Sequence, residues 1–398
     1  MPPTATDASE RQPPGTIFLR FLKFGLLAWG GPVAQIAMLK RELVEEQHWL
    51  PTERFNRLLA AYQVLPGPEA HELCVHLGMM TGGRIGGILA GLGFMLPGLV
   101  LTLAMAWLYV RLDLHTPMLA ALFLGMQVGV FVALIVRAVH RIAGHVLVDA
   151  PAWFVGFASA AATMLGVSFW LILPASGLFY ALWTSGRRPT AIVFLAVAAA
   201  GASWGTGISS VELPVDSAIT AGTATAAALF LSGLKAGLLT FGGAYTAIPF
   251  VREDAVGRGW ITDRQFLDSI ALTGVLPAPL IIFATFAGYI AAGLGGALAI
   301  TVGIFLPAFA FALLFSERLE KIAENDRLHR ILEGVAAGVV GLIAVTAVQL
   351  GVNVAGSAPL PVAAVVFAVS LALLYFWKSK LAVLAVVAGS GMGGIILF

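Results

Sequence analysis

Phe21-Leu-Lys23-Phe-Gly25-Leu-Leu-Ala-Trp29-Gly30-Gly31 returns half a chain later as Gly233-Leu-Lys235-Ala-Gly237-Leu-Leu-Thr-Phe241-Gly242-Gly243. The copies stay in step beyond this stretch. Arg41-Glu42 matches Arg252-Glu253, Trp49 matches Trp260 and Phe55 matches Phe266. Pro66-Gly67-Pro68 matches Pro277-Ala278-Pro279, Phe94-Met-Leu-Pro97 matches Phe305-Leu-Pro307 more loosely, and Gly125 with Gly129 match Gly334 with Gly338. A repeat sustained in this way sets the domain organisation before any local reading. It gives a tail at 1–16, a first repeat at 17–208 and a second at 219–398, joined near the polar loop Ser209-Ser-Val-Glu-Leu-Pro214.

The composition places both repeats in a bilayer. Residues are 59% hydrophobic and 11% charged, with a mean hydropathy of +0.92, whereas soluble domains carry about 25% charged residues. The polar, Pro-rich start has no apolar core of a signal peptide. The single cysteine, Cys74, excludes an internal disulfide, and a net charge of +2 with scattered basic residues argues against nucleic acid.

Apolar stretches near the ~20 residues needed to cross a membrane lie at 17–39, 56–80, 86–110, 117–137, 152–167, 169–184 and 189–207. Six more lie at 219–248, 265–291, 295–315, 331–354, 360–377 and 381–398. The expectation is an all-α polytopic membrane protein of about thirteen helices. With the N-terminus inside, sixteen basic residues fall on the cytoplasmic side and five, Lys40, Arg41, Arg54, Arg57 and Arg111, on the other. This fits the positive-inside rule, except that the 40–57 loop carries four basic residues on the wrong face. Seven spans in the first half invert the second, making inverted-topology repeats, a common architecture for alternating access. If 152–167 and 169–184 do not both cross, the repeats are parallel.

Chemistry is expected where the spans are broken. Proline inside a membrane helix removes an N–H and clashes one turn back, and the freed backbone is tolerated only inside protein or a wet cavity. Pro66-Gly67-Pro68 and Pro277-Ala278-Pro279 interrupt the second span of each half, and Gly30-Gly31 and Gly242-Gly243 come late in the first. A helix restarting after such a break offers free N–H groups and a positive dipole end, together an anion site. Gly and Pro also serve simple packing in membrane helices, but their paired occurrence favours four breaks converging on one anion. Lys23 and Lys235 each precede a Gly-Gly pair by seven residues, two turns on nearly the same face. They are expected to flank the anion, with snorkelling to the headgroups as the alternative.

Glu69-Ala-His71-Glu72-Leu-Cys74-Val-His76 follows the first Pro-Gly-Pro break. It resembles the start of an H-E-x-x-H zinc helix, but His71 and His76 are five apart where that motif requires four, so metal catalysis is not expected. Glu69, Glu72 and His76 form one stripe at i, i+3 and i+7 and are candidates for proton coupling. The second half has Leu280-Ile-Ile-Phe283 there, without charge. No G-x-x-x-x-G-K-[ST] is present, which excludes ATP-driven pumping within the chain.

The Lys-x-Gly span ending in W/F-Gly-Gly, the Arg-Glu and Trp that follow it, and Pro-Gly-Pro-Glu-Ala resemble the chromate ion transporter family, in its long form of two fused halves. The resemblance covers about 17–140 and 229–350 most clearly. It departs at Ala278, where the family usually has Gly, and at the titratable run His71–His76. It implies a secondary transporter, not an enzyme, that exports chromate from the cytoplasm across the inner membrane and confers chromate resistance, with sulfate as the structural analogue. The alternative is a transporter of sulfate or another small anion, with proton coupling a further option. No cofactor or metal is expected. Fusion supplies both halves in one chain, so a functional monomer is expected, with a homodimer as the alternative.

Overall fold

The computed structural model describes residues 12–29, 31–112, 116–205, 223–241, 243–315, 325–357, 359–377 and 382–397, and every regular element among them is a helix. Gly30, Gly242, most of the tail at 1–16 and the boundary at 208–219 lie outside the described residues. The chain is a helical membrane protein. By length and apolarity, three described segments can cross a bilayer: Glu69–Arg111, Leu280–Phe315 and Asp326–Val354.

The expected span 17–39 is two helices that double back. α1 (Pro14–Leu26) has thirteen residues, about 20 Å of rise, which falls short of the ~30 Å hydrocarbon core. α2 (Gly31–Leu39), continued by a π-helical turn at Lys40–Glu46, returns beside it. Lys23 therefore meets Glu42 at 3.2 Å, Arg20 donates to Gln47, and Phe21 packs on Trp49. The expected span 56–80 divides likewise. α3 (Thr52–Val64) stops at Leu65-Pro66-Gly67, and α4 (Glu69–Arg111) starts back, bringing Tyr62 onto His76.

α4 is itself a hairpin. Gly83, at φ 63° and ψ −161°, takes a conformation essentially reserved for glycine. The short first arm then folds against the second, which runs 84–111, with Gly78 touching Gly86 and Ala90. The second arm is long enough to cross the membrane. α1 runs parallel to it, Ile17 against Gly86 and Gly25 against Pro97, so α1 ends near that arm's midpoint.

The second half repeats this order. α10 (Ala226–Leu238) doubles back into a 3₁₀ turn at Ala244–Thr246 and α11 (Ala247–Ala255), pairing Lys235 with Asp254 at 2.7 Å. α12 (Asp263–Thr273) leads to Pro277-Ala278-Pro279, then to a 3₁₀ turn at Leu280–Ile282 and α13 (Phe283–Phe315). Asp268 of α12 and Phe286 of α13 both meet Tyr109, so these two segments also lie side by side. Gly293, at φ 63° and ψ −155°, turns α13 as Gly83 turns α4. Gly87 and Gly91 of α4 pack on Leu313 and Phe309 of α13 respectively, which makes the two long arms antiparallel.

The remaining helices flank this centre. α5 (Pro117–Met126) and α6 (Val132–Val146) are joined by a π-helical turn at Gln127–Phe131. α7 (Ala150–Met164), α8 (Phe169–Thr184) and α9 (Arg188–Gly205) close the first half. α14 (Asp326–Ser357), α15 (Leu360–Phe376) and α16 (Ala382–Leu397) close the second. The repeated glycines are the seams between them. Gly125 and Gly129 sit on Ser390 of α16, whereas Gly334 and Gly338 sit on Ser176 of α8. Small residues let membrane helices approach closely where no hydrophobic driving force acts.

Candidate anion site at four helix tips

Hydropathy marks four apolar spans with breaks in them; the fold turns each break into the tip of a hairpin. The tips belong to α1–α2, α3–α4, α10–α11 and α12–α13. Direct contacts bring them together. The Gly67 N–H donates to the Thr240 carbonyl at 2.8 Å, joining the Pro-Gly-Pro tip to the end of α10. The Gln35 amide donates at 3.0 Å to both Ala28 and Ala278, joining the α1–α2 tip to the Pro-Ala-Pro tip. Gly98, halfway along the crossing arm of α4, lies on Ala278 and Pro277, leaving no space for a Cβ. Tyr245 brings its hydroxyl to within 4.0 Å of where a side chain on Gly31 would begin.

Each tip places its glycine or prolines at a helix end. Gly67 has φ 149°, which a side chain would strain. Gly31 and Gly243 are also at positive φ, at 77° and 122°. Pro66, Gly67, Pro68, Pro277, Ala278 and Pro279 therefore lie together with Gly31 and Gly243 at the molecular centre.

Lys23 and Lys235 stand apart from the tips. Lys23 is 61% exposed, bonds Glu42, and shares its helix face with the exposed Leu19, Leu26 and Leu27. Lys235 is 15% exposed, lies between Asp254 at 2.7 Å and Glu253 at 3.9 Å, and sits over the Phe169 ring. Each lysine thus pairs with the returning helix of its own hairpin.

The acidic stripe is buried. Glu69, Glu72 and His76 are all in the first arm of α4, and Glu72 is sealed from solvent. Neither Glu72 oxygen has a hydrogen-bond partner among the described residues, and one lies 2.6 Å from where a Gly67 Cβ would sit. His76 Nδ1 pairs with the Tyr62 hydroxyl at 2.9 Å. His71 diverges from them into a cage of Phe94, Phe305 and Phe309, both ring nitrogens without partners among the described residues.

Gln35, Thr240 and Tyr245 escaped the sequence reading. The first had a legible signal, a lone carboxamide among apolar neighbours, because a polar group inside a membrane segment asks for a partner.

No solved structure matches the chain. A chromate transport protein of Pseudomonas aeruginosa is 56% identical over 407 residues, covering 100% of this chain and 97% of that protein. A chromate transport protein of Cupriavidus metallidurans is 30% identical over 409 residues, covering 100% and 98%. The family described as chromate transporter matches residues 15–202 and 227–395. Over the length of both halves, the chain belongs to the chromate transporter family, whose named members here are transport proteins and not enzymes.

Proposed function

We propose that the chain is a secondary transporter that exports chromate, a sulfate-like oxyanion, from the cytoplasm across the inner membrane and so confers chromate resistance. The convergence of four hairpin tips carries this reading. Broken helices meeting at the membrane midplane are how secondary transporters present backbone N–H groups to an anion. The substrate would bind among Gly30, Gly31, Pro66, Gly67, Pro68, Gly242, Gly243, Pro277, Ala278 and Pro279. Lys23 and Lys235 would act on it from within their ion pairs.

Inverted-topology repeats are the architecture of this proposal, supported by the antiparallel arms of α4 and α13. Hairpins that turn back at the midplane also change which basic loop faces out. If α1–α2 and α3–α4 enter and leave by one face, the basic loop at 40–57 stays with the N-terminus in the cytoplasm. Arg252, Arg258 and Arg264 then join Arg111 on the outer face, so four basic residues move in and three move out, and the excess stays on the cytoplasmic side as the positive-inside rule asks.

An inside-negative potential favours export by about 2.3 kcal/mol per charge per 100 mV. A dianion gains about twice that, enough for uniport. Proton coupling through Glu69, Glu72 and His76 is the second reading, favoured by the unpartnered Glu72 carboxyl at the Pro-Gly-Pro tip. A single chain holds both halves, so the monomer is the proposed working unit.

The test is uptake of labelled chromate into everted vesicles containing this chain, under an imposed inside-positive potential with pH equal on both sides. Potential-driven uptake that sulfate competes away supports an electrogenic oxyanion exporter. Absence of uptake by folded, inserted protein removes chromate as the substrate.

A further inference from the structure

Asp268 is a buried acid that the oxyanion reading leaves without a role. It lies on α12 and is fully buried. Both carboxylate oxygens are held by donors from the other half of the chain. The Tyr109 hydroxyl donates to one at 2.7 Å from α4, and the Gln127 amide donates to the other at 2.6 Å from the α5–α6 helix. Tyr109 and Gln127 are themselves buried, at 4% and 3% exposure.

Gln127 opens the π-helical turn at Gln127–Phe131. An extra residue in a helical turn re-aims the side chains on it, and such turns concentrate at functional sites. Next to this cluster is a half-open cavity of about 430 Å³, lined by Pro117, Leu124, Gln127, Arg264, Leu267 and Asn353 among others. Gln127 and Leu267 line the cavity, and Asp268 follows Leu267. The cavity therefore approaches the hairpin tips along α12 and stops at this cluster.

The repeat makes the cluster one-sided. At the positions matching Asp268 and Gln127, the other half has Arg57 and Ala336. The helix around Ala336 is regular, without a π turn. The other face of the molecule therefore carries no counterpart of this cluster, although the hairpins themselves are duplicated.

We propose that Asp268, held by Tyr109 and Gln127, is the positioning residue of a gate. It pins α12 to the first half and closes the path between the 430 Å³ cavity and the four tips on the face where α4 ends. Opening on that face requires α12 to leave Tyr109 and Gln127. The gate rests on the transporter reading only for what passes through it.

The experiment reads access rather than flux. Cys74 is replaced by Ser and Thr273, buried at 2% and five residues deeper along α12 than Asp268, is replaced by Cys. A membrane-impermeant thiol reagent is added from the face where α4 ends, with chromate absent. Hydrogen bonds to charged groups are strong enough that Asp268→Leu, which accepts from neither donor, or Gln127→Glu, which sets one carboxylate against another, should raise the labelling rate at least about tenfold. The double variant Asp268→Asn/Gln127→Glu exchanges donor and acceptor and should restore slow labelling. Unchanged labelling in the folded single variants overturns the gate. So does fast labelling that the exchange leaves uncorrected, because it would indicate general loosening. Because no substrate is involved, failure of the chromate assay leaves this outcome readable.

Discussion

The Gly67 N–H donates to the Thr240 carbonyl at 2.8 Å, so the Pro-Gly-Pro tip of one half is fastened by its backbone to the end of α10 in the other. The bond needs Gly67 at φ 149°, with Glu72 packed where a side chain would stand. Gly67→Ala is expected to cost about 1–3 kcal/mol of backbone strain and to lower chromate flux at least about tenfold if the tips must meet. Wild-type flux from a folded Gly67→Ala protein would separate the joint from transport.

Gln35 satisfies two carbonyls in different halves, those of Ala28 and Ala278. Gln35→Leu leaves both without a donor, each at about 1–3 kcal/mol. A lowered thermal midpoint in detergent, together with reduced flux, is expected. Gln35→Glu should not restore either, because a carboxylate offers no N–H to the carbonyls.

The two lysines should differ although the repeat equates them. Lys235 and Asp254 are both mostly buried, at 15% and 7% side-chain exposure, and breaking such a pair costs about 3–5 kcal/mol, reduced here because Arg258 stays 3.3 Å from the other Asp254 oxygen. Lys23, at 61%, is in an exposed pair worth at most about 1 kcal/mol. Lys235→Met should therefore lower thermal stability far more than Lys23→Met, with Asp254→Asn recovering part of the loss. Equal losses would contradict this assignment.

Gly83 and Gly293 turn the two crossing hairpins with the same backbone conformation. Nothing lies within 4 Å of a Cβ built on either, so an alanine there meets strain without a clash. Each Gly→Ala change is expected to cost about 1–3 kcal/mol, measurable as equal shifts in unfolding midpoint.

If protons move with the oxyanion, Glu72 is the carboxyl best placed to carry one. The Glu69→Gln/Glu72→Gln double variant is then expected to lose any pH dependence of flux. A pH profile that matches the parent's would exclude this stripe as the coupling route.

The repeat, the four breaks and the acidic stripe were legible in the sequence because each is a local pattern carried twice or placed against an apolar background. The reversal of direction at the breaks was not. Two half-length helices that double back have the same summed hydropathy as one crossing helix, so 17–39 reads as a span whether or not the chain returns. Under the proposed orientation, the misplaced Lys40, Arg41, Arg54 and Arg57 are the trace of that reversal. The partners of Lys23 and Lys235 were hidden for the same cause: Glu42 and Asp254 come alongside only after the chain turns. Asp268 passed unnoticed inside the apolar stretch 265–291, and its donors, Tyr109 and Gln127, lie 159 and 141 residues away.

The glycine seams run crosswise. Gly125 of the first half is covered by Ser390 and Gly394 of the second, and Gly334 of the second is covered by Ser176 and Gly177 of the first. Each half therefore lends its outer helices to wall in its neighbour and leaves its own long helix bare. A chain severed between α9 and α10 would yield two incomplete pieces, each a template for the other. Expressed together they should reassemble, and expressed singly each would seek a second copy of itself. Fusion in this chain is thus less a tether between finished modules than a guarantee that each unfinished one meets the right counterpart.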